Sequence, residues 1–118
     1  MAQSKIINID MVVASGTAYH SSSPYRIWNY TKFADGRLEA WINMDDSTSS
    51  SRHEFSGYFP TEFSFVSTPA LVASGYIAAN VNSGVKYTSV STTIYDIYVT
   101  GDINGASSVY VFVIGRWK

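Results

Sequence analysis

The sequence predicts an all-β fold, a single antiparallel β-sandwich of the jelly-roll-like type, with about seven or eight strands in one domain over residues 1–118. Apolar and polar residues alternate with a period of two over much of the chain, and 15% of its residues are aromatic. Glycine, proline, asparagine and aspartate interrupt these runs at short intervals, as they do at strand ends. No segment keeps apolar residues at i, i+3 and i+4 over three turns, so few helices are expected.

A β-hairpin is the strongest local signal in the first half of the chain. A first strand is predicted over residues 6–14, and a serine-rich loop at residues 19–24 follows it. The next strands, residues 25–33 and 37–43, flank the segment Ala34-Asp35-Gly36. Because an Asp-Gly step between two β-rich runs is a specific indication of a hairpin, these two strands are predicted to pair.

Two registers are compatible with this hairpin. A type I′ turn would pair Lys32 with Glu39 and Tyr30 with Trp41. A type I turn followed by a G1 bulge would instead place Lys32 opposite Leu38. The first register is favoured for its pairing of opposite charges. It puts the following residues on one face of the hairpin: Trp28, Tyr30, Lys32, Arg37, Glu39 and Trp41.

The second half of the chain continues the strand pattern. Residues 44–52, rich in serine and aspartate, are predicted to form an exposed and mobile polar loop. The predicted strands that follow are residues 53–59, 70–79, 87–100 and 107–117. The last two strands are predicted to be joined by the loop GDINGAS, residues 101–107. Both faces of these two strands are partly apolar, as in a sheet that is covered on both sides.

Composition and charge argue against several classes of partner. The net charge is −1 and no cluster of lysine and arginine occurs, so nucleic acid is not expected to bind. No apolar run reaches the roughly 20 residues that cross a bilayer, so membrane insertion is not expected. The N-terminus lacks the basic-then-apolar pattern of a secretory signal, which predicts synthesis in the cytoplasm. The chain has no cysteine, which excludes disulfides and thiolate metal sites.

Candidate catalytic residues are few. His20 and His53 lie in separate polar segments, without a second ligand at metal-binding spacing, so both are predicted to be ordinary loop residues. A glycosidase needs two acids flanking the bond, whereas Asp96 alone is an acid in the middle of an apolar strand. No nucleophile elbow and no nucleotide-binding loop occurs. The protein is therefore predicted to bind rather than to catalyse, with no cofactor.

The candidate ligand-binding residues come from the hairpin face and the polar loop. Aromatic rings stack on the apolar faces of sugars, while hydroxyl, amide and charged groups hydrogen bond to them. The predicted binding residues are Trp28, Tyr30, Arg37, Trp41, Asp45, Asp46 and Arg52. In a small sandwich, aromatic residues more often fill the core or a subunit contact, and both interpretations stay open at this point.

Three segments resemble a known family when taken in order. They are YTKFADGRLEAW at residues 30–41, YFPTEFSFVSTPALVAS at residues 58–74 and VFVIGRWK at residues 111–118. Together they resemble the C-terminal tip domains of bacteriophage tail fibre and baseplate-associated proteins. The resemblance covers about a third of the chain, includes its C-terminus, and transfers no defined binding residue.

This resemblance implies a component of a phage or prophage virion tail, often a homotrimer, that contacts other tail proteins and recognises a host-surface polysaccharide or protein. The favoured prediction is a non-catalytic tip domain that binds a host glycan. A structural tail protein without a host ligand is the alternative, and a small polysaccharide depolymerase is a third, less favoured, interpretation.

Overall fold

The computed structural model describes residues 11–118, which form six β-strands and one short 3₁₀ turn. The strands are β1 (Val12–Ala18), β2 (Trp28–Phe33), β3 (Arg37–Tyr58), β4 (Ala70–Ile77), β5 (Gly84–Val90) and β6 (Ile94–Arg116), and the 3₁₀ turn is Thr61–Phe63. Every pairing between them is antiparallel, which confirms the predicted all-β antiparallel class. Residues 6–10 of the predicted first strand lie outside the described residues, and β1 continues through Gly16, where that strand was expected to have ended.

All six strands belong to one sheet, built on a long two-stranded ribbon. The sheet order is β1-β2-β3-β6-β4, and β5 also pairs with β6. β3 and β6 pair over nearly their whole length, from Arg37 opposite Arg116 to Tyr58 opposite Ile94. Every described strand thus belongs to one hydrogen-bonded sheet, and the predicted sandwich of two sheets is not fully confirmed.

The two loops predicted at residues 44–52 and 101–107 are wrong, because both segments are parts of strands. They lie opposite each other in the ribbon, where Asp46 pairs with Ser107 and Ser50 with Gly105. Polar residues can occupy a strand when both of its faces are exposed to solvent and a partner strand completes the backbone hydrogen bonds. The pairing shifts on both sides of Ser50, and we call residues 46–52 of β3 the ribbon bulge.

The predicted strand over residues 87–100 is also wrong, because a turn divides it into the end of β5 and the start of β6. The Ser91 hydroxyl oxygen accepts hydrogen bonds from the backbone N–H groups of Thr93 and Ile94 at 3.3 and 3.1 Å. A serine side chain that satisfies backbone donors in this way stabilises a turn. β5 consequently folds back to pair with β6, which brings Tyr87 opposite Tyr98.

The ribbon has a near half, in which residues 37–45 pair with residues 108–116, and a far half, in which residues 52–58 pair with residues 94–100. It folds over itself, so that the inner faces of these two halves enclose the core. Tyr95 pairs with Gly57 at the far end of the ribbon, yet its hydroxyl lies 3.9 Å from the sulfur of Met44 in the near half. Trp28, on β2, contacts the Tyr95 ring with centroids 5.5 Å apart. The space between the two halves is filled by aromatic rings from the segment after β3, namely Phe59, Phe63 and Phe65, all of which are buried.

The hairpin of β2 and β3 adopts the register with the G1 bulge, so the favoured type I′ register is wrong. The Gly36 N–H donates to the Phe33 carbonyl at 3.0 Å, and Gly36 has a φ of 98°. Lys32 consequently lies opposite Leu38. The charge pair expected between Lys32 and Glu39 contributes too little at a surface to decide the register, whereas burial of Trp28 on the core face, which only the observed register allows, decides it.

Replacing Gly36 with alanine is expected to destabilise the protein by about 1–3 kcal/mol. A β-carbon there would lie 2.6 Å from an Arg116 guanidinium nitrogen and 2.7 Å from the Lys118 carbonyl oxygen, at a φ that disfavours alanine. Urea unfolding measures the loss. Gly84→Ala is the matched control, because a β-carbon at Gly84 meets nothing within 4 Å. Equal unfolding midpoints for the two variants would contradict this account of the turn.

Candidate ligand-binding groove

The seven predicted binding residues fall into three separate places. Trp28 is 0% exposed and Tyr30 packs against the core, so both lie on the inner face of the sheet. Arg37, Trp41 and Asp45 alternate along the outer face of β3. The ribbon bulge holds the other two, Asp46 and Arg52. The prediction that Trp28, Tyr30 and Trp41 share one face is wrong, because the register of the hairpin is shifted by one residue.

The outer face of the near half of the ribbon has one apolar row followed by two polar rows. We call it the outer sheet face, and its rows are Trp41, Phe112 and Val72, then Asn43, Tyr110 and Ser74, then Asp45, Ser108 and Tyr76. Val72 is 68% exposed. The polar rows line a shallow groove of about 420 Å³, in which the Ser108 hydroxyl donates to the Asp45 carboxylate.

A second groove lies on the far half of the ribbon and includes Arg52. Its volume is about 480 Å³. We call it the Arg52 groove, and its lining residues are Arg52, Lys86, Tyr87, Asp96, Tyr98 and Thr100. Three strands supply them because β6 pairs with both β3 and β5 at this point.

Two tyrosines and an arginine lie in contact in this groove. The rings of Tyr87 and Tyr98 lie with centroids 5.7 Å apart and are inclined by 52°. The Arg52 guanidinium carbon lies 4.4 Å from the centroid of the Tyr98 ring, within the range of a cation–π contact. Tyr87 remains 52% exposed, so its ring is available to a ligand. The Arg52 groove thus offers aromatic faces and cationic donors side by side.

A pair of carboxyl groups borders the same groove. Glu54 lies opposite Tyr98, and Asp96 lies one row further along the ribbon, opposite Ser56. Burial raises the pKa of Asp96, and a hydrogen bond with Glu54 together with the negative charge of Glu54 raises it further. Hydrogen bonds from Tyr98 and Asp96 lower the pKa of Glu54. Asp96 is therefore the carboxyl group that holds a proton more strongly, while Glu54 stays an acceptor.

The sequence identified only part of this site, because the site depends on pairing between distant segments. Arg52 was predicted to bind ligand, and Asp96 stood out as an acid within an apolar strand. Tyr87 and Tyr98 were missed as a pair because both were assigned to one continuous strand. The serine and threonine cluster around Ser91, which allows a turn, was the available signal that these tyrosines lie on two paired strands.

The described residues contain no site that suits a metal ion. Among residues 11–118, no group of three or more histidine, cysteine, aspartate or glutamate side chains is placed to hold one. No helix in this part of the chain has the length and apolar character needed to cross a membrane.

Comparison with known proteins finds likeness in solved structures alone. No protein-family model matches the chain, and no curated protein matches it. An N-truncated R1-type pyocin tail fibre superimposes with a TM-score of 0.59 at 17% identity, over 88% of this chain and 87% of that one. The C-terminal 323–701 fragment of the Pseudomonas aeruginosa R1 pyocin fibre gives a TM-score of 0.57 at 15% identity, over 88% of this chain and 28% of that one. The resemblance to tail fibre tip domains is thus confirmed as a likeness in fold: this chain has the fold of the C-terminal region of a pyocin tail fibre.

Proposed function

We propose that this protein is the tip domain of a phage or prophage tail fibre and that its Arg52 groove binds a glycan on the host surface without catalysis. The proposal assigns it to the virion tail, next to other tail proteins. The observation that carries it is the Arg52 groove, in which two tyrosine rings, a guanidinium and the Asp96 carboxyl group surround one open space.

The chemistry of the groove suits a sugar better than a flat apolar partner. Tyr87 and Tyr98 supply ring faces for the C–H side of a sugar. Arg52 and Lys86 donate hydrogen bonds, and Glu54 accepts them, so adjacent hydroxyls on one ring can meet both kinds of group. An open groove of this size accommodates one or two sugar rings at the surface of a larger polysaccharide.

A depolymerase is the less favoured function for the same groove. Retaining glycosidases hold their two carboxyl groups about 5–5.5 Å apart, and inverting enzymes hold them further apart. Glu54 and Asp96 are close enough to hydrogen bond with each other. Such a pair leaves no room for a glycosidic bond between its members, and we therefore assign both carboxyl groups to binding.

The second candidate function is a structural tail component without a host ligand. The apolar row of the outer sheet face, with Trp41, Phe112 and the exposed Val72, favours burial against another chain. We propose that this row is the contact between three copies of the protein. The two functions are compatible, because the Arg52 groove lies on the other half of the ribbon.

Substitution of the groove tyrosines tests the glycan proposal. Tyr87→Ala and Tyr98→Ala are each expected to weaken binding to host cells, or to a glycan identified on an array, by at least about tenfold. Tyr25→Ala is the matched control, since Tyr25 is 74% exposed and lies outside the groove. Binding is measured by biolayer interferometry, with circular dichroism to verify folding.

Two outcomes would count against glycan binding in this groove. Undiminished binding by both groove variants would place the ligand elsewhere on the protein. Absence of binding by the unmodified protein to every glycan and every host strain tested would favour the structural function.

A further inference from the structure

His53 occupies a position that its polar sequence context did not predict. It was expected to be an ordinary loop residue, but it is 2% exposed and lies inside the fold of the ribbon. It immediately follows the ribbon bulge, pairs with Val99 of β6 and stacks near the Phe55 ring at 6.5 Å. A buried histidine beside a surface groove needs a physical explanation, because burial disfavours its charged form.

Both nitrogens of the His53 ring face hydrogen-bond acceptors. Nδ1 lies 2.8 Å from a carboxylate oxygen of Asp46. Nε2 lies 3.0 Å from the Ser50 carbonyl oxygen and 2.7 Å from the Gly105 carbonyl oxygen. A neutral imidazole has one donor and one acceptor nitrogen, so it would leave one nitrogen lone pair pointing at an oxygen. Only the doubly protonated imidazolium can donate to all of these partners.

The charged groups around His53 agree with this assignment. On its own strand the ring faces Asp46, the one group among the described residues whose charge acts on it. From β6 it faces the uncharged Gly105 carbonyl and Val99. Burial lowers the pKa of His53, but hydrogen bonds to Asp46, Gly105 and Ser50 outweigh burial, so the pKa is raised above its ordinary value. The hydrogen bond from His53, together with one from the Thr48 N–H, lowers the pKa of Asp46 to about 2.

The same contacts connect His53 to Arg52. Ser50, whose carbonyl oxygen accepts from the imidazole, also makes two hydrogen bonds to the backbone of Arg52. Its hydroxyl accepts from the Arg52 N–H at 3.1 Å and donates to the Arg52 carbonyl at 2.9 Å. The imidazole thereby ties the ribbon bulge to Gly105 of β6. Arg52 is the last residue of this bulge, and its guanidinium covers Tyr98 in the groove.

We propose that His53 is a positioning residue for the Arg52 groove: as an imidazolium it holds the ribbon bulge against β6, and loss of its proton releases Arg52 from Tyr98 and weakens glycan binding. The effect on affinity rests on the proposed function, whereas the effect on Arg52 does not. The ligand would then bind below the midpoint of the His53 titration and dissociate above it.

The pH dependence of stability follows from the two pKa directions. The folded-state pKa of His53 is raised, so its contribution is complete below its ordinary value of 6.5 and is lost as pH rises through the folded-state pKa. The pKa of Asp46 is lowered, so its contribution is complete above its ordinary value of 3.8 and is lost as pH falls through about 2. The melting temperature is expected to be highest between these two ordinary values.

Nuclear magnetic resonance of the unmodified protein from pH 5 to pH 9.5 tests the proposal without any ligand. Both ring nitrogens of His53 are expected to be protonated at pH 6, below the ordinary pKa of 6.5. The Tyr98 ring is expected to shift the Arg52 side-chain protons, and this shift should disappear with the same midpoint as the His53 titration. A singly protonated His53 at pH 6, or an Arg52 signal that does not change at the His53 midpoint, would overturn the proposal.

A conservative variant tests whether the protonation of His53, and not only the presence of its ring, positions Arg52. Asp46→Asn removes the charged acceptor and keeps the shape of the side chain, so the His53 and Arg52 midpoints should fall together. Asp102→Asn is the matched control, because Asp102 bonds to Asn82 rather than to His53, and both midpoints should stay in place. An unchanged midpoint in Asp46→Asn would also refute the proposal.

The predicted effect on ligand affinity is tested by comparing host-cell binding at pH 6 and pH 9. A loss of binding that follows the His53 midpoint supports the link to function, and pH-independent binding refutes that link. If the protein binds no cell at either pH, the proposed function fails, while the magnetic resonance result still decides whether His53 positions Arg52.

Discussion

Replacing Trp28 with alanine is expected to lower the free energy of unfolding by about 3–5 kcal/mol. The indole is fully buried and meets three other rings edge-on, with centroids 5.6 Å from Phe59, 5.8 Å from Phe63 and 5.5 Å from Tyr95. These rings come from two other segments of the chain, so the cavity left by alanine would separate β2 from both the far half of the ribbon and the segment that follows β3. Urea unfolding followed by circular dichroism measures the loss.

Trp41→Ala supplies the control for this experiment, since it removes the same side chain from the other face of the hairpin. Trp41 is half-buried on the outer sheet face and lies outside the core. It is expected to cost less than half as much as Trp28→Ala. Similar losses for both variants would contradict the observed register, because in that register only Trp28 faces the core.

Replacing Val72 with aspartate is expected to convert a three-copy assembly into single chains. Val72 lies beside Phe112 and Trp41 in the apolar row of the outer sheet face and is 68% exposed in the isolated chain. A carboxylate buried without a partner between subunits costs several kcal/mol at each contact, which is enough to prevent association at micromolar concentration. Light scattering coupled to size exclusion gives the mass directly.

Val81→Asp introduces the same charge at a position that should not matter for assembly. Val81 is 97% exposed in the turn after β4 and lies outside the outer sheet face. This variant is expected to keep the mass of the unmodified protein. If the unmodified protein is a single chain at micromolar concentration, or if Val72→Asp remains a trimer, the proposed contact is wrong.

The glycan and assembly proposals use different halves of one ribbon, and the fold explains how. The near half pairs with β2 on one side and with β4 on the other, and this part of the sheet presents the outer sheet face. The far half pairs with β5, and this part of the sheet presents the Arg52 groove. Association through the first surface would therefore leave the second accessible, and three copies would present three grooves. Such an arrangement would raise the avidity for a repetitive polysaccharide without any new contact.

The alternation of β3 shows why the binding site could not be predicted from the sequence. Up to Met44 the even-numbered residues face the core, and from His53 onward the odd-numbered residues do. The ribbon bulge produces this change of phase, because irregular pairing adds backbone that belongs to neither regular register. A period-2 pattern interrupted by serines and aspartates looks like a loop when read along one strand.

By itself the sequence determined the all-β class, the existence of the hairpin at Asp35-Gly36 and the resemblance to tail fibre tips, because alternation, turn chemistry and short motifs are local properties. The tertiary structure alone decided the register of that hairpin, the burial of Trp28 and His53, and the meeting of Tyr87, Tyr98 and Arg52 in one groove. These features depend on which distant strands pair and on which face is buried. Local alternation fits two registers equally well, and the free energy of burying the core side chains selects between them.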